Sequence, residues 1–392
     1  MFDMTTFQKV KLVDIAKINP DSIGRNFTYE TIEYVDISSV GIGNLSGTQE
    51  MSVRNAPSRA KRLIKSGDTI LSTVRPNRRS FFYFRNPKEN TVVSTGFAVL
   101  RALKNNDPRY LYYCVTDQSF TDYLTKNAKG SAYPAVDADI IYDGEIFVPE
   151  KTEDQSRIAS VLSTYDNLIE NNEKRIKALE EMAQLLYTEW FVKFKFPGHE
   201  KVRMVDSGTE YGMIPEGWDV KRLGDLIQIK KGKNITRDTV AIGNIPVVAG
   251  GLEPAYFHDT PNTKSPVVTI SASGANAGFT RLYFKDIWAS DCSFVDLSVT
   301  PYVYFYYLFL KNRQDDIFRL QRGSAQPHVY PKDLMDIKIN APSEKMIKDF
   351  NDKVSCLFQL IGGLKRKNLT LSKTRDLLIP QLVTGKRELS FN

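Results

Sequence analysis

The chain repeats itself, and this restricts its fold more than any other feature. Gly130-Ser131-Ala132-Tyr133-Pro134-Ala135-Val136 matches Gly323-Ser324-Ala325-Gln326-Pro327-His328-Val329 at a displacement of 193 residues, close to half of the 392-residue chain. The same displacement relates Pro108 to Pro301, Tyr113 to Tyr306, Ile146 to Ile339 and Pro149 to Pro342. Upstream the register drifts: Thr69-Ile70-Leu71-Ser72 resembles Thr269-Ile270-Ser271, and Leu12-Val13-Asp14-Ile15 resembles Leu223-Gly224-Asp225-Leu226. Several matches in one order imply two copies of one structural unit. The halves are expected to share a fold and to be related by a pseudo-twofold axis.

Each half follows the same grammar. Short β-like runs such as Thr91–Leu100 and Pro266–Ser271 are broken by Gly, Pro and Asn. An aromatic segment, Tyr110–Cys114 or Tyr302–Leu310, reads as a core helix, and a β-like run then ends at Pro149 or Pro342. A long helical pattern closes each half. The first is expected over about 153–191, with an apolar stripe of Ile158, Leu162, Tyr165, Leu168, Ile176, Leu179, Met182, Leu186 and Trp190. The second is expected over about 343–382, with Ile347, Phe350, Val354, Leu357, Ile361, Leu364, Leu371, Leu378 and Leu382. Asn368 and Arg375 fall on skipped heptad positions of this stripe, whose period of about 3.5 marks a coiled-coil seam. Gly362-Gly363 is a weak point within it. Helices of this length exceed what one small core needs, which predicts two packed spacer helices holding two globular domains apart. Lys193–Trp218, rich in Gly, Pro and charge, reads as a linker. The expected class is α+β. The expected division is 1–150 and 214–342 for the globular domains, 151–192 and 343–385 for the helices, 193–213 for the linker and 386–392 for a tail.

Net charge is +7, and its location says more than its total. Between Arg54 and Lys88 stand ten basic residues (Arg54, Arg59, Lys61, Arg62, Lys65, Arg75, Arg78, Arg79, Arg85, Lys88) and one acid, Asp68. A second cluster, Lys221, Arg222, Lys230, Lys231, Lys233 and Arg237, stands against Asp225. One such cluster is as readily a solvated surface; two in a repeated chain favour an acidic polymer as partner. Three scattered cysteines suggest neither a disulfide framework nor a zinc ribbon and fit a reducing cytoplasm. No secretory signal is read at Met1–Val10, and the apolar run Tyr302–Leu310 is too short to span a bilayer.

Catalytic signatures are missing from the sequence. Gly232-Lys233 and Gly385-Lys386 lack the upstream glycine of a phosphate loop. There is no Asn-Pro-Pro-Tyr run and no Glu-x-Lys, and His199, His258 and His328 are scattered. Gly274-Ala275-Asn276-Ala277-Gly278 reads as a turn rather than a phosphate cradle. No cofactor is expected. What remains is recognition chemistry. Arg75-Pro76-Asn77-Arg78-Arg79 follows a strand-like run and precedes Phe81-Phe82-Tyr83-Phe84, as a projecting loop would. Arginine can bind phosphate or guanine O6 and N7, and asparagine can read adenine. Lys230-Lys231-Gly232-Lys233-Asn234 is the similar candidate of the second half, suited more to phosphate. The candidate DNA contacts are therefore Arg54, Arg59, Lys61, Arg75, Asn77, Arg78, Arg79, Lys230, Lys231, Lys233 and Asn234. A coiled-coil adaptor that binds proteins, its basic patches incidental, is the alternative; a salt-sensitive affinity for duplex DNA separates the two.

The pattern resembles the specificity subunits of Type I restriction-modification systems. The motifs that carry the resemblance are Ile214-Pro215-Glu216-Gly217-Trp218, the paired Gly-Ser-Ala-x-Pro segments, Val148-Pro149 leading to Asp154-Gln155 and Ile158, and the closing Leu377-Leu378-Ile379-Pro380-Gln381-Leu382-Val383-Thr384-Gly385. Asp154-Gln155 stands where the family has Glu-Gln, Ser343-Glu344-Lys345 lacks that pair, and the first half opens at Phe7-Gln8-Lys9-Val10 without Pro-x-Gly-Trp. The resemblance implies two target-recognition domains, each reading half of an interrupted site on double-stranded DNA. It implies long helices packed antiparallel as a ruler for the gap. Two methyltransferase (modification) subunits would dock near the helices, with Asp154, Gln155, Ile158 and Trp190 as candidate contacts, and restriction subunits would complete the complex. On this resemblance the chain supplies geometry and specificity without a catalytic centre.

Overall fold

The computed structural model describes residues 6–24, 27–236, 240–251, 253–323 and 326–387. It divides into two compact units, Met1–Asn171 with Asn368–Asn392, and Asn172–Lys367. The division does not fall at the ends of the long helices. The first helix, Thr152–Tyr187, continues as a π turn over Thr188–Val192, and the second is Glu344–Val383. Each helix contributes one part to each unit, because an apolar seam can be buried only against a partner and against the domain beside it.

The two units share one strand plan. In the first, Phe7–Lys11 pairs antiparallel with Glu145–Pro149; in the second, Asp219–Arg222 pairs with Lys338–Ala341. A four-stranded sheet follows, in the order Ala16–Ile18, Phe97–Ala102, Thr69–Ser72, Phe81–Tyr83 in the first unit. Its counterpart runs Lys230–Lys231, Cys292–Val295, Val267–Ser271, Thr280–Tyr283. A further sheet contains one parallel pair in each unit, Thr31–Val35 beside Thr91–Ser94 at the centre of four strands and Ile245–Val248 beside the edge strand Trp288–Ala289 in a sheet of three. The expected single run Thr91–Leu100 is thus two strands in two sheets, divided at Thr95-Gly96.

The aromatic segments are core helices, Pro108–Thr116 and Val303–Asn312. Tyr110, Leu111 and Tyr113 are buried in one, Phe305, Phe309 and Leu310 in the other. Asp107 caps the first, its carboxylate accepting from the backbone N–H groups of Arg109 and Tyr110, which satisfies donors that a helix start leaves free.

Within each unit the two long helices run antiparallel. In the first, Asp166 meets Arg375 and the Ile169 carbonyl accepts from Asn368 Nδ2 at 3.4 Å. In the second, Glu180 meets Lys365 at 3.0 Å, and Trp190 packs on Phe350 with ring centroids 5.3 Å apart. The seam differs from its expected stripe at two places. Leu168 is 40% and Met182 51% exposed, while Ala159, Asn172, Ala183 and Tyr187 are buried instead. Residue size misleads here: the small Ala159 and Ala183 lie on the inner face while the larger Leu168 and Met182 lie outside it. Gly362 shows the same effect: a Cβ there would stand 2.9 Å from Phe284 Cδ1, so its lack of a side chain seats the ring.

Lys193–Trp218, expected as a linker, is structured. Met204–Asp206 pairs with Met213–Pro215, and Phe196, Ile214 and Trp218 enter the core of the second unit, the Phe196 and Trp218 rings stacking at 5.5 Å. Its Gly and Pro residues shape turns around buried aromatics. No helix among the described residues is long and apolar enough to cross a membrane.

Candidate DNA interface

The basic run of the first unit does not form one patch. Strand pairing carries Ser94 beside Ala60 and Thr91 beside Glu33, which sets the two ends of the sheet. At the Ser94 end, Thr95 N donates to the Arg59 carbonyl (2.8 Å) and Thr73 N to the Gly96 carbonyl (2.9 Å). Arg59 and the loop Arg75–Arg79 therefore converge on the Thr95-Gly96 turn. Arg54 follows Ser52, the partner of Thr31, and so lies at the opposite end with Lys88. Lys61 is exposed on the strand Ala60–Leu63.

Acids far away in sequence also reduce the charge. Arg59 pairs with Asp36 (3.0 Å), Lys65 with Asp21 (2.9 Å), Arg85 with Glu170 (3.2 Å), and Lys88 with Glu33. Arg54, Lys61, Arg62, Arg75, Arg78 and Arg79 make no ion pair among the described residues. Arg62 is half-buried, and burial lowers its guanidinium pKa from the ordinary value.

The Arg75–Arg79 loop has an unusual backbone. Arg75 and Arg79 bracket the 3-10 turn Pro76–Arg78, both left-handed, with φ of 51° and 56°. Each such residue other than glycine costs roughly 1–2 kcal/mol, so two arginines are held here against their own preference, a pattern that marks functional loops. The Arg75 guanidinium lies 4.6 Å over the ring of Tyr133, which is 69% exposed. Arg79 Nη2 donates to the Thr116 carbonyl at 2.8 Å, and Arg79 Nε is buried without a hydrogen-bond partner. Asn77 and Arg78 are exposed at the turn.

The repeated Gly-Ser-Ala-x-Pro segment is what holds this loop. Arg75 N donates to the Pro134 carbonyl (2.7 Å) and Val136 N to the Thr73 carbonyl (2.9 Å). In the second unit Gly274 N donates to the Pro327 carbonyl (3.0 Å) and Val329 N to the Ala272 carbonyl (3.0 Å). The counterpart of the arginine loop is therefore Gly274–Gly278. Gly274 and Gly278 take the left-handed positions of Arg75 and Arg79, with φ of 78° and 85°. The lysine run expected to be the counterpart is instead an edge strand, Lys230–Lys231, in the place of Ala16–Ile18. It still borders the same turn: Gly232 N donates to the Cys292 carbonyl, Lys233 N to Ala289, and Ala272 N to Asp291. Lys230 Nζ donates to Ser298 Oγ, while Lys231, Lys233 and Asn234 are exposed. Arg237, Ser324 and Ala325 lie outside the described residues.

Three of the four candidate partner contacts serve their own unit. Gln155 is buried, accepting from Asp107 N at 2.9 Å and donating to the Pro149 carbonyl; Ile158 is buried in the first core, and Trp190 in the aromatic cluster with Phe191 and Phe350. A motif at a helix start can also be structural glue. Asp154 is paired with Arg157 at 3.2 Å.

Two domains of one kind in tandem are also what comparison with known proteins finds. Residues 4–181 and 215–364 match the Type I restriction modification DNA specificity domain, once for each half. The chain belongs to this family. Among relatives of the Type I restriction-modification specificity family, the MjaIX specificity subunit of Methanocaldococcus jannaschii is 26% identical over 95% of this chain and 87% of its own length. The HindI specificity subunit of Haemophilus influenzae is 23% identical, over 98% of this chain and all of its own (100%). A crystal structure of the S subunit of a Type I system from M. genitalium covers 100% of this chain and 98% of its own, with a TM-score of 0.58 at 16% identity, which supports the fold.

Proposed function

We propose that this chain is the DNA-reading subunit of a Type I restriction-modification complex and contributes no catalytic group. The recognition domains are residues 1–150 and 214–342, each reading one half of an interrupted duplex site. The helices 151–192 and 343–385 set the gap, and 193–213 belongs with the second domain. Two modification subunits dock along the helices, restriction subunits join the assembly, and the complex acts on DNA in the cytoplasm. Adenine methylation by the modification subunits requires the base to leave the stack, and this chain would place them on the site.

The observation that carries the reading is the duplicated loop pair, with its unpaired arginines in the first unit. Arg75, Arg78 and Arg79 meet no carboxylate among the described residues, yet two of them hold a strained backbone. A polyanion satisfies both facts. Arg54, Arg59, Lys61, Lys230, Lys231, Lys233 and Asn234 are the accompanying candidate contacts, with Asn77 beside the arginines.

The test is the triple variant Arg75→Ala, Arg78→Ala, Arg79→Ala in the assembled complex, titrated with duplex DNA across a salt series. Affinity should fall, and the dependence on salt should become shallower by about one unit for each phosphate that the variant no longer neutralises. Melting should fall by no more than the lost Arg79–Thr116 hydrogen bond costs, about 1 kcal/mol. A protein-binding adaptor would instead show weak, salt-insensitive DNA association in the unaltered chain.

A further inference from the structure

The two loop pairs are one backbone device carrying different side chains. The same two hydrogen bonds tie each turn to the end of its Gly-Ser-Ala-x-Pro segment, at Pro134 and Val136 or Pro327 and Val329, and a bridge joins Val74 to Ala135 in one unit and Ser273 to His328 in the other. Apart from Asn77 and Asn276, the side chains of the two turns differ. The first unit shows Arg75 stacked on exposed Tyr133. In the second, Gln326 takes the position of Tyr133 and is exposed, and His328 stacks on Tyr330 at 6.0 Å and 15°. Tyr330 is 48% exposed. No basic side chain stands between Gly274 and Gly278.

A scaffold kept constant while its exposed tips vary suits reading rather than folding. We propose that each unit reads bases through this loop pair, Arg75 and Tyr133 being the readers of the first unit and Gln326 with the His328–Tyr330 stack those of the second. The proposal rests on the DNA-specificity reading above and adds the residues that distinguish the half-sites. Arginine presents a fork matched to guanine O6 and N7, whereas glutamine matches adenine N6 and N7. The first unit is therefore assigned a half-site containing guanine at the arginine, and the second a half-site containing adenine at the glutamine. Lys231 and Lys233, beside the second loop pair, take phosphate and position the reader.

The second unit suggests the substitution that tests this. Arg75→Gly with Arg79→Gly installs the residues it already uses at those backbone positions. The exchange relieves the left-handed strain, so the variant should melt at or above the temperature of the unaltered protein. The complex with modification subunits is offered a duplex library randomised in both half-sites, and retained duplexes are sequenced. If the unaltered complex retains no bipartite motif, the DNA-specificity reading itself fails. If it does, the glycine pair should lower base preference in one half-site by about tenfold or more and leave the other intact. Gln326→Ala, at an exposed side chain outside the core, should do the same to the opposite half-site. Unchanged preferences in both variants, or a uniform loss across both halves, would overturn the assignment.

Discussion

Arg375 of the second long helix holds Asp166 of the first at 2.6 Å, at one of the two positions where the apolar seam is interrupted. Both side chains are mostly buried, at 17% and 19% exposure, and Tyr113 of the neighbouring core helix donates its hydroxyl to the same carboxylate. One carboxylate thus joins the domain to both helices of its unit. Removing Asp166 alone leaves the mostly buried Arg375 only the more exposed Asp376, at 2.8 Å, whereas replacing both sides with apolar groups removes the desolvation cost as well. Asp166→Ala should lose about 3 kcal/mol, and Asp166→Leu with Arg375→Leu should lose much less. Chemical denaturation of the three chains decides it; a double variant that loses as much as Asp166→Ala, or more, would reject the coupling.

The paired glycines of the second helix separate two effects of an added methyl group. Gly363 faces open space, so Gly363→Ala should stabilise by up to about 1 kcal/mol through helix propensity. Gly362→Ala gains the same propensity but brings Cβ to 2.9 Å from Phe284 Cδ1. It should destabilise, and trimming the ring with Phe284→Leu should recover part of the loss. Melting curves of the four chains suffice. If both alanines stabilise equally, Phe284 does not depend on the bare helix surface.

Asp21 supplies a pH dependence. Its carboxyl is held below the usual range first by the Arg101 hydrogen bond and then by that of Lys65. A depressed folded pKa gives stability that is fully present above the unfolded value, near 3.9, and is lost as pH falls through the folded one. Asp21→Asn should therefore be less stable than the unaltered chain from pH 5 to 7, by a margin that is constant over that range. The margin should begin to shrink below about pH 4 and be lost as pH falls through the folded pKa. A margin that did not shrink on acidification would mean that packing rather than charge accounts for it.

These residues show what the sequence could and could not disclose. Asn368 and Arg375 were legible as gaps in an apolar repeat, because a polar residue at a seam position must find a partner. The helices, the core segments Tyr110–Cys114 and Tyr302–Leu310, and the duplicated plan were legible through periodicity and the matched Gly-Ser-Ala-x-Pro segments. The partners were not: Asp36, Asp21, Glu33 and Glu170 neutralise part of the basic run from outside it. Nor was the equivalence of Arg75–Arg79 with Gly274–Gly278. It is set by backbone bonds and left-handed φ values, while the side chains share only Asn77 and Asn276. Charge similarity pointed to Lys230–Asn234 instead, which strand pairing places elsewhere in the plan.

The proposed ruler is tested by lengthening both helices together. An α-helix advances 1.5 Å per residue and duplex DNA about 3.4 Å per base pair. Four residues inserted after Lys174, with four more after Lys367, add about 6 Å of helix. Four residues turn the helix by about 400°, leaving the seam nearly in phase, whereas two turn it by about 200° and direct the apolar stripe away from its partner. The four-residue variant should therefore fold and direct methylation to unchanged half-sites separated by a gap longer by up to about two base pairs. The two-residue variant should lose stability and activity together. Sequencing of methylated adenines in cells carrying each variant reads the gap directly. An active four-residue variant with the original gap would show that something other than the length of these helices sets it.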